Sequence, residues 1–219
     1  MKNNPVNLAN MIHKSSWLLA LVFFCACNND TKPADISGKN STAEQARNNS
    51  VVGNNYCDSV NSGLVTLDTL RGSPPRETMT SVNRTQVHIK YNSPGVKERI
   101  IWGGLVPYDK VWSTGAHNAS RVWFSGDVMI NDKKVTAGEY AFFTIPAKEK
   151  WVIILNTRYN QHLADDYNEK EDVIRVEVKP EEHRLTQRLT YAVNKKDEKS
   201  GEIVMQWEKI LVRLPFTTF

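Results

Sequence analysis

The sequence predicts an all-β fold: a single antiparallel β-sandwich, jelly-roll or immunoglobulin-like, of about eight to ten strands, placed after a signal peptide and a flexible tether. Three observations predict it. Apolar residues after position 72 recur in short alternating runs bounded by Gly, Pro, Asn and Asp, the pattern of half-buried strands. No helical apolar period of ten or more residues follows residue 72. The stretch Tyr91 to Asn156 carries four of the six tryptophans and the longest alternating pattern in the chain.

The N-terminal end divides into two pieces. Residues 1–26 contain Lys2 and Lys14, no acid, and an unbroken apolar run of eight from Trp17 to Phe24. That run is shorter than the roughly 20 residues a membrane span needs, so it reads as a secretory signal. Phe24-Cys25-Ala26-Cys27 is similar to a lipobox, with Phe24 where Leu is usual and Cys25 where Ala or Ser is usual. Ala26 is the small residue before the cut, so Cys27 is the expected lipidation site, and the acyl chains would hold the protein on a membrane. Ordinary cleavage to a soluble exported protein is the alternative. The expected location is the cell envelope, as an outer-membrane lipoprotein facing the periplasm or the cell surface. Residues 27–72 are rich in Asn, Ser, Thr and Gly, and such a segment buries too little to offset its ordering entropy. It is expected to be a flexible tether, with at most a short strand at Gly63–Leu70. Asp58-Ser59-Val60 and Asp68-Thr69-Leu70 resemble the Asp-Ser/Thr-aliphatic acceptor of some bacterial O-glycosylation systems; a chance match is the alternative.

The domain is expected over residues 73–219, opening at Ser73-Pro74-Pro75, where two prolines bar a sheet interior. Arg84 to Tyr91 alternates, with Val87, Ile89 and Tyr91 on one face and Gln86, His88 and Lys90 on the other. Asn92 to Gly95 is a turn, and Val96 to Tyr108 an irregular loop. Short strands follow at Lys110–Thr114, Arg121–Ser125 and Val128–Ile130, then a tight turn at Asn131-Asp132-Lys133. Tyr140–Ile145 and Lys150–Leu155 are strands, and the unbroken apolar run of the second predicts burial on both faces. Trp123 and Trp151 lie on strands and read as core. Asn156 to Asp172 is a polar crossover with a short helical turn. Asp172–Val178 and Arg184–Val193 alternate again, and Glu202–Phe216 closes the chain with Ile203, Met205 and Trp207 on one side.

Composition narrows the function. Cleavage after residue 26 removes Lys2 and Lys14 and leaves 26 basic against 24 acidic residues. The two signs interleave, which excludes the basic stripe of a nucleic-acid binder. Loss of Cys25 and lipidation of Cys27 would leave Cys57 alone, so the fold must stand on its core without a disulfide; about 145 residues suffice for that. His88, His117, His162 and His183 are widely spaced and no Cys pair exists, so no metal site and no cofactor is expected.

From Ser73 to about Leu214 the chain resembles the domain of unknown function 2911 family of exported Gram-negative proteins. The resemblance rests on Tyr91-Asn-Ser-Pro-Gly-Val-Lys97, Arg99, Ile101-Trp-Gly-Gly-Leu-Val-Pro-Tyr108, Lys110-Val-Trp-Ser-Thr-Gly-Ala116 and Asn118. It continues in Ala137-Gly-Glu-Tyr140, Phe143-Thr-Ile-Pro146, Trp151, Asn156, Glu171-Asp172 and Arg175-Val176. His162 stands where an aromatic is expected, and His117 where the family usually has no titratable group. The resemblance implies a fold and supplies no mechanism.

The expected site is the loop Trp112 to Asn118 with Arg99, Trp102 and Tyr108. Its residues are Arg99, Trp102, Tyr108, Trp112, Thr114, His117 and Asn118. Aromatic faces beside guanidinium and amide groups suit a sugar; equally, the tryptophans belong to a core and the polar groups satisfy loop backbone. The expected function is ligand or partner binding, the partner being a carbohydrate or another envelope protein. An envelope hydrolase is the alternative, using His117 with Ser113, Ser120 or Asp109, or a carboxylate pair in the acidic loop Asp165–Asp172; no Gly-x-Ser-x-Gly elbow supports it. A purely structural lipoprotein is the third reading.

Overall fold

The computed structural model describes residues 55–219. The signal, Cys27 and the first part of the tether lie outside the described residues. Among the described residues ten strands follow one another as β1 (Pro75–Val82), β2 (Thr85–Asn92), β3 (Arg121–Phe124), β4 (Val128–Ile130), β5 (Lys133–Val135), β6 (Gly138–Ile145), β7 (Trp151–Asn156), β8 (Asp172–Val178), β9 (Glu181–Lys195) and β10 (Ser200–Thr218). They form a six-stranded sheet in the order β1-β2-β3-β6-β7-β8 and a four-stranded sheet in the order β5-β4-β10-β9. Every strand pair is antiparallel, so the domain is the all-β sandwich that the alternation predicts.

Alternation fixes which face each strand buries. In β2, Val87, Ile89 and Tyr91 are buried while Gln86 and Lys90 are exposed. The β4–β5 hairpin closes through Asn131 and Asp132, at φ of 48° and 59°; two left-handed residues give the turn whose twist matches paired strands. The unbroken apolar run of β7 has the predicted cause. Ile153 and Leu155 enter the main core, and Ile154 joins Phe143, Ala141 and Ala119 in a second cluster on the outer face, with Tyr167 and Ala164 packed against it.

Four tryptophans fill one part of the main core. Trp102 meets Trp151 at 4.8 Å, Trp207 at 5.8 Å and Trp112 at 5.8 Å between ring centroids, each edge-on, while Trp112 stacks on Trp207 at 5.6 Å. Such pairs contribute about 0.5–1.5 kcal/mol each beyond their area burial.

Several expectations are corrected. The tether does not run to residue 72. Residues 55–61 are helical, and Cys57 and Val60 are buried. The Asn61 carboxamide bonds both backbone groups of Arg188, accepting from its N–H at 2.8 Å and donating to its carbonyl at 2.9 Å. Asp68 holds the fully buried Arg188 guanidinium through two contacts of 2.7 Å, and the Leu70, Gly72 and Ser93 carbonyls accept from the same group. The segment is retained by polar bonds, so its polarity misled. Gly63–Leu70 holds turns and bends, with no strand. β1 is an unpredicted edge strand; Pro75 begins it, where no ladder bond is needed. Lys110–Thr114 contributes a single bridge, Trp112 to Thr144. Trp123 is 37% exposed, not core: the neighbours Val122 and Phe124 point inward, so it must point out.

Candidate functional site

The residues of the expected loop site separate on folding. Trp102 and Trp112 pack into the tryptophan cluster. Thr114 is fully buried in a left-handed conformation at φ 51°, and its hydroxyl bonds the Trp112 carbonyl and Thr144 Oγ1. Its carbonyl accepts from Ser120 Oγ and from the Tyr191 hydroxyl, both at 2.9 Å. Arg99 is exposed and donates to the Gly95 and Val96 carbonyls of its own loop. The Tyr108 ring lies over Gly103, where an added Cβ would come within 2.9 Å of it. His117 and Asn118 are exposed, and their backbone pairs with Leu163 and His162. The loop is a structural corner that ties the two sheets to the crossover 157–167; its aromatic faces are spent on the core.

The groups a His117 hydrolase needs are not brought together. Ser120 Oγ is committed to Thr114, Ser113 Oγ is buried, and the His117 ring bonds to no described residue. In the acidic region Asp165, Glu169, Glu171 and Asp172 are each tied to a partner. Asp172, with a nearly buried side chain, accepts from Asn156 Nδ2 and the Tyr167 hydroxyl at 2.7 Å and from Arg175 at 3.1 Å. Burial and that hydrogen bond push the Tyr167 phenol far above its ordinary range. Glu171 forms a two-pronged pair with Arg158 at 2.7 Å, which holds the carboxyl below its usual value. This network staples the crossover to the β7–β8 edge. Among the described residues no group of three His, Cys, Asp or Glu side chains could hold a metal, and no helix is long and apolar enough to cross a membrane. The Cys57 thiol is buried, and that burial raises its pKa.

A site that the sequence reading missed lies at the edge of β9. The β9–β10 ladder slips twice, between Gln206 and Glu208 and again between Glu208 and Ile210, with Glu208 at φ 54°. These bulges release residues 187–189 to pair with Pro94–Val96 instead. They also turn Leu185 outward, 45% exposed, where alternation predicts burial. Past Val96 the chain bends away at Lys97 and Glu98, both at positive φ. Between that bend, the β9 bulge and the segment 60–68 lies a cleft of about 620 Å³. Val65, Leu67 and Leu185 give it apolar walls; Asn61, Thr66 and Gln187 give amide and hydroxyl groups; Lys97, Arg184 and Glu98 stand at its margins. Arg184 and Glu98 pair with no described side chain. None of the seven expected site residues lines it, and nothing in the sequence announces it, because a bulge has no compositional signature. A second, smaller cleft of about 450 Å³ opens between Ile130 and Val176, where Arg213 is already paired with Glu181 and Glu202.

The Asp-Ser/Thr triplets are placed differently. Ser59 is in the helix and donates to the Asn55 carbonyl, whereas Thr69 is exposed beside Asp68, whose carboxylate is held by Arg188. A family model described as a protein of unknown function (DUF2911) matches residues 73–216, and the chain belongs to that family. Neither a curated protein nor a solved structure matches the chain.

Proposed function

We propose that this DUF2911 member is an exported, lipid-anchored binding module whose cleft at the β9 edge takes an extended peptide segment of another envelope protein. One observation carries the reading: the cleft juxtaposes leucine walls, amide groups and unpaired charges of both signs along an open strand edge. Before Gln187, β9 is the outer strand of its sheet, and beyond Val96 no described segment pairs with it on that side. Strand edges recruit peptide backbone, and flanking pockets then select side chains. The mixture of Lys97, Arg184 and Glu98 suits a peptide with its own mixed charges better than a simple anion. The signal-like residues 1–26 and Cys27 support the anchor, which would concentrate the module on the membrane where its partner lies.

Panning a random peptide display library on the mature chain tests the cleft. Binders are expected that lose about tenfold or more in affinity, roughly 1.4 kcal/mol, on Leu185→Asp or Leu67→Asp, with the unfolding midpoint unchanged. An empty selection, or binders indifferent to both substitutions, would refute the reading. Palmitate labelling in cells, abolished by Cys27→Ala, tests the anchor separately.

A further inference from the structure

The outer face of the six-stranded sheet carries a second surface that neither the core nor the cleft uses. The pairing registers place Met79, His88, Trp123 and Glu139 side by side across β1, β2, β3 and β6. Glu77, Lys90 and Arg121 form the adjoining row. Both rows face solvent, because Val87, Ile89, Val122 and Phe124 occupy the opposite face and are fully buried. Three inter-strand spacings make the Trp123 row about 14 Å long. Trp123 and Met79 are the large apolar side chains on it, 37% and 61% exposed, and every other tryptophan among the described residues packs in the core.

We infer that this face binds a neutral polysaccharide, with Trp123 as the stacking platform. The ring offers an apolar, polarisable face to the C–H side of a sugar. Its direct cross-strand neighbours, His88 and Glu139, offer the imidazole Nδ1 and the carboxylate oxygens to equatorial hydroxyls, with Arg121 as donor in the next row. Charge balance selects the ligand class. Glu139 lies 3.5 Å from Arg121, and Glu77 stands directly across from Lys90 and 3.0 Å from His88, so two carboxylates are matched by two permanent cations and the face presents no net field to attract a polyanion. A protein partner fits less well. A stable protein interface needs an apolar, charge-depleted centre within about 1,200–2,000 Å² of buried surface, and here one indole and one thioether sit among the charges of Glu77, Lys90, Arg121 and Glu139.

Native affinity electrophoresis of the mature chain tests this, in gels containing soluble mannan, xylan, mixed-linkage β-glucan or dextran, with polygalacturonate as the anionic comparison. Retardation is expected in at least one neutral gel, lost on Trp123→Ala, partly kept by Trp123→Phe and retained by Leu185→Asp of the cleft. Trp123 is outside the core, so its variants should unfold at the wild-type urea midpoint, which separates lost binding from lost structure. The inference is overturned by mobility equal to that in plain gel for all four neutral polymers, by retardation that survives Trp123→Ala, or by retardation in polygalacturonate alone. A Trp123-dependent association with protein and none with sugar overturns it as well.

Discussion

Removing the Asp68 carboxylate should destabilise the whole domain, although it lies in a segment with the composition of a tether. Arg188 is fully buried and its guanidinium meets both Asp68 oxygens at 2.7 Å. Asp68→Ala leaves that charge with the Ser93, Leu70 and Gly72 carbonyls. Two of those three belong to the segment that Asp68 itself retains, so they loosen with it. An uncompensated buried charge costs about 3–5 kcal/mol. At a urea dependence of about 2 kcal/mol per molar, the midpoint falls by roughly 1.5–2.5 M. Tryptophan fluorescence reports the transition, because Trp102, Trp112, Trp151 and Trp207 share the core. Asp68→Leu with Arg188→Met should recover most of the loss, since no unpaired charge then remains buried at that position. A shift below roughly 0.5 M for Asp68→Ala, about 1 kcal/mol at the same slope, would refute the reasoning and return residues 55–72 to the status of a tether.

Other groups in the fold give further measurable outcomes. Burial raises the pKa of Cys57, Tyr91, Tyr167 and Tyr191 above the ordinary values of 9.0 for the thiol and 10.0 for the phenols. A group whose folded pKa is raised contributes stability that is complete below its unfolded pKa and is lost as pH rises toward the folded value. Urea midpoints should therefore hold steady between about pH 6 and pH 9 and fall above it, with a shallower fall in Tyr191→Phe; a flat profile to pH 11 contradicts the assignment. Trp207→Ala should cost about 3–5 kcal/mol and Trp112→Ala should also destabilise, as measured by urea unfolding, whereas a Trp112→Ala chain of native stability would restore the loop as a surface. Maleimide labelling of the Cys57 peptide, read by mass spectrometry, should be at least about tenfold slower than that of an exposed thiol and should accelerate in Asp68→Ala, which releases the neighbouring segment.

The parts of the fold written by local periodicity were legible in the sequence. β2, β8 and the end of β9 alternate, the Asn131-Asp132 turn has its characteristic residues, and the apolar run of β7 reports its two covered faces. What escaped depends on partners distant in sequence. Asn61 and Asp68 bond Arg188 across 127 and 120 residues, and a polar segment satisfied that way looks no different from one satisfied by water. β1 buries little apolar surface of its own, Val82 excepted, and exists because β2 offers it an edge. Three consecutive apolar residues at 122–124 cannot all face one side of a strand, so one had to be exposed; the alternation contained that fact, but hydrophobicity alone chose wrongly. The cleft depends on two register slips, and the Trp123 face on a register across four strands. Composition encodes neither. The family resemblance over residues 73–216 marks the sandwich and stops short of the segment that closes it.

That segment also reverses the order of time. A chain is made from its N-terminus, so Asp68 leaves the ribosome 120 residues ahead of Arg188. At about 5–20 residues per second the interval is roughly 6–24 s. Throughout it the helix at 55–61 and the carboxylate at 68 have no place to dock, since β9 does not yet exist. The first part of the domain to be synthesised is thus among the last to be fastened, and its fastening certifies that β9 has arrived.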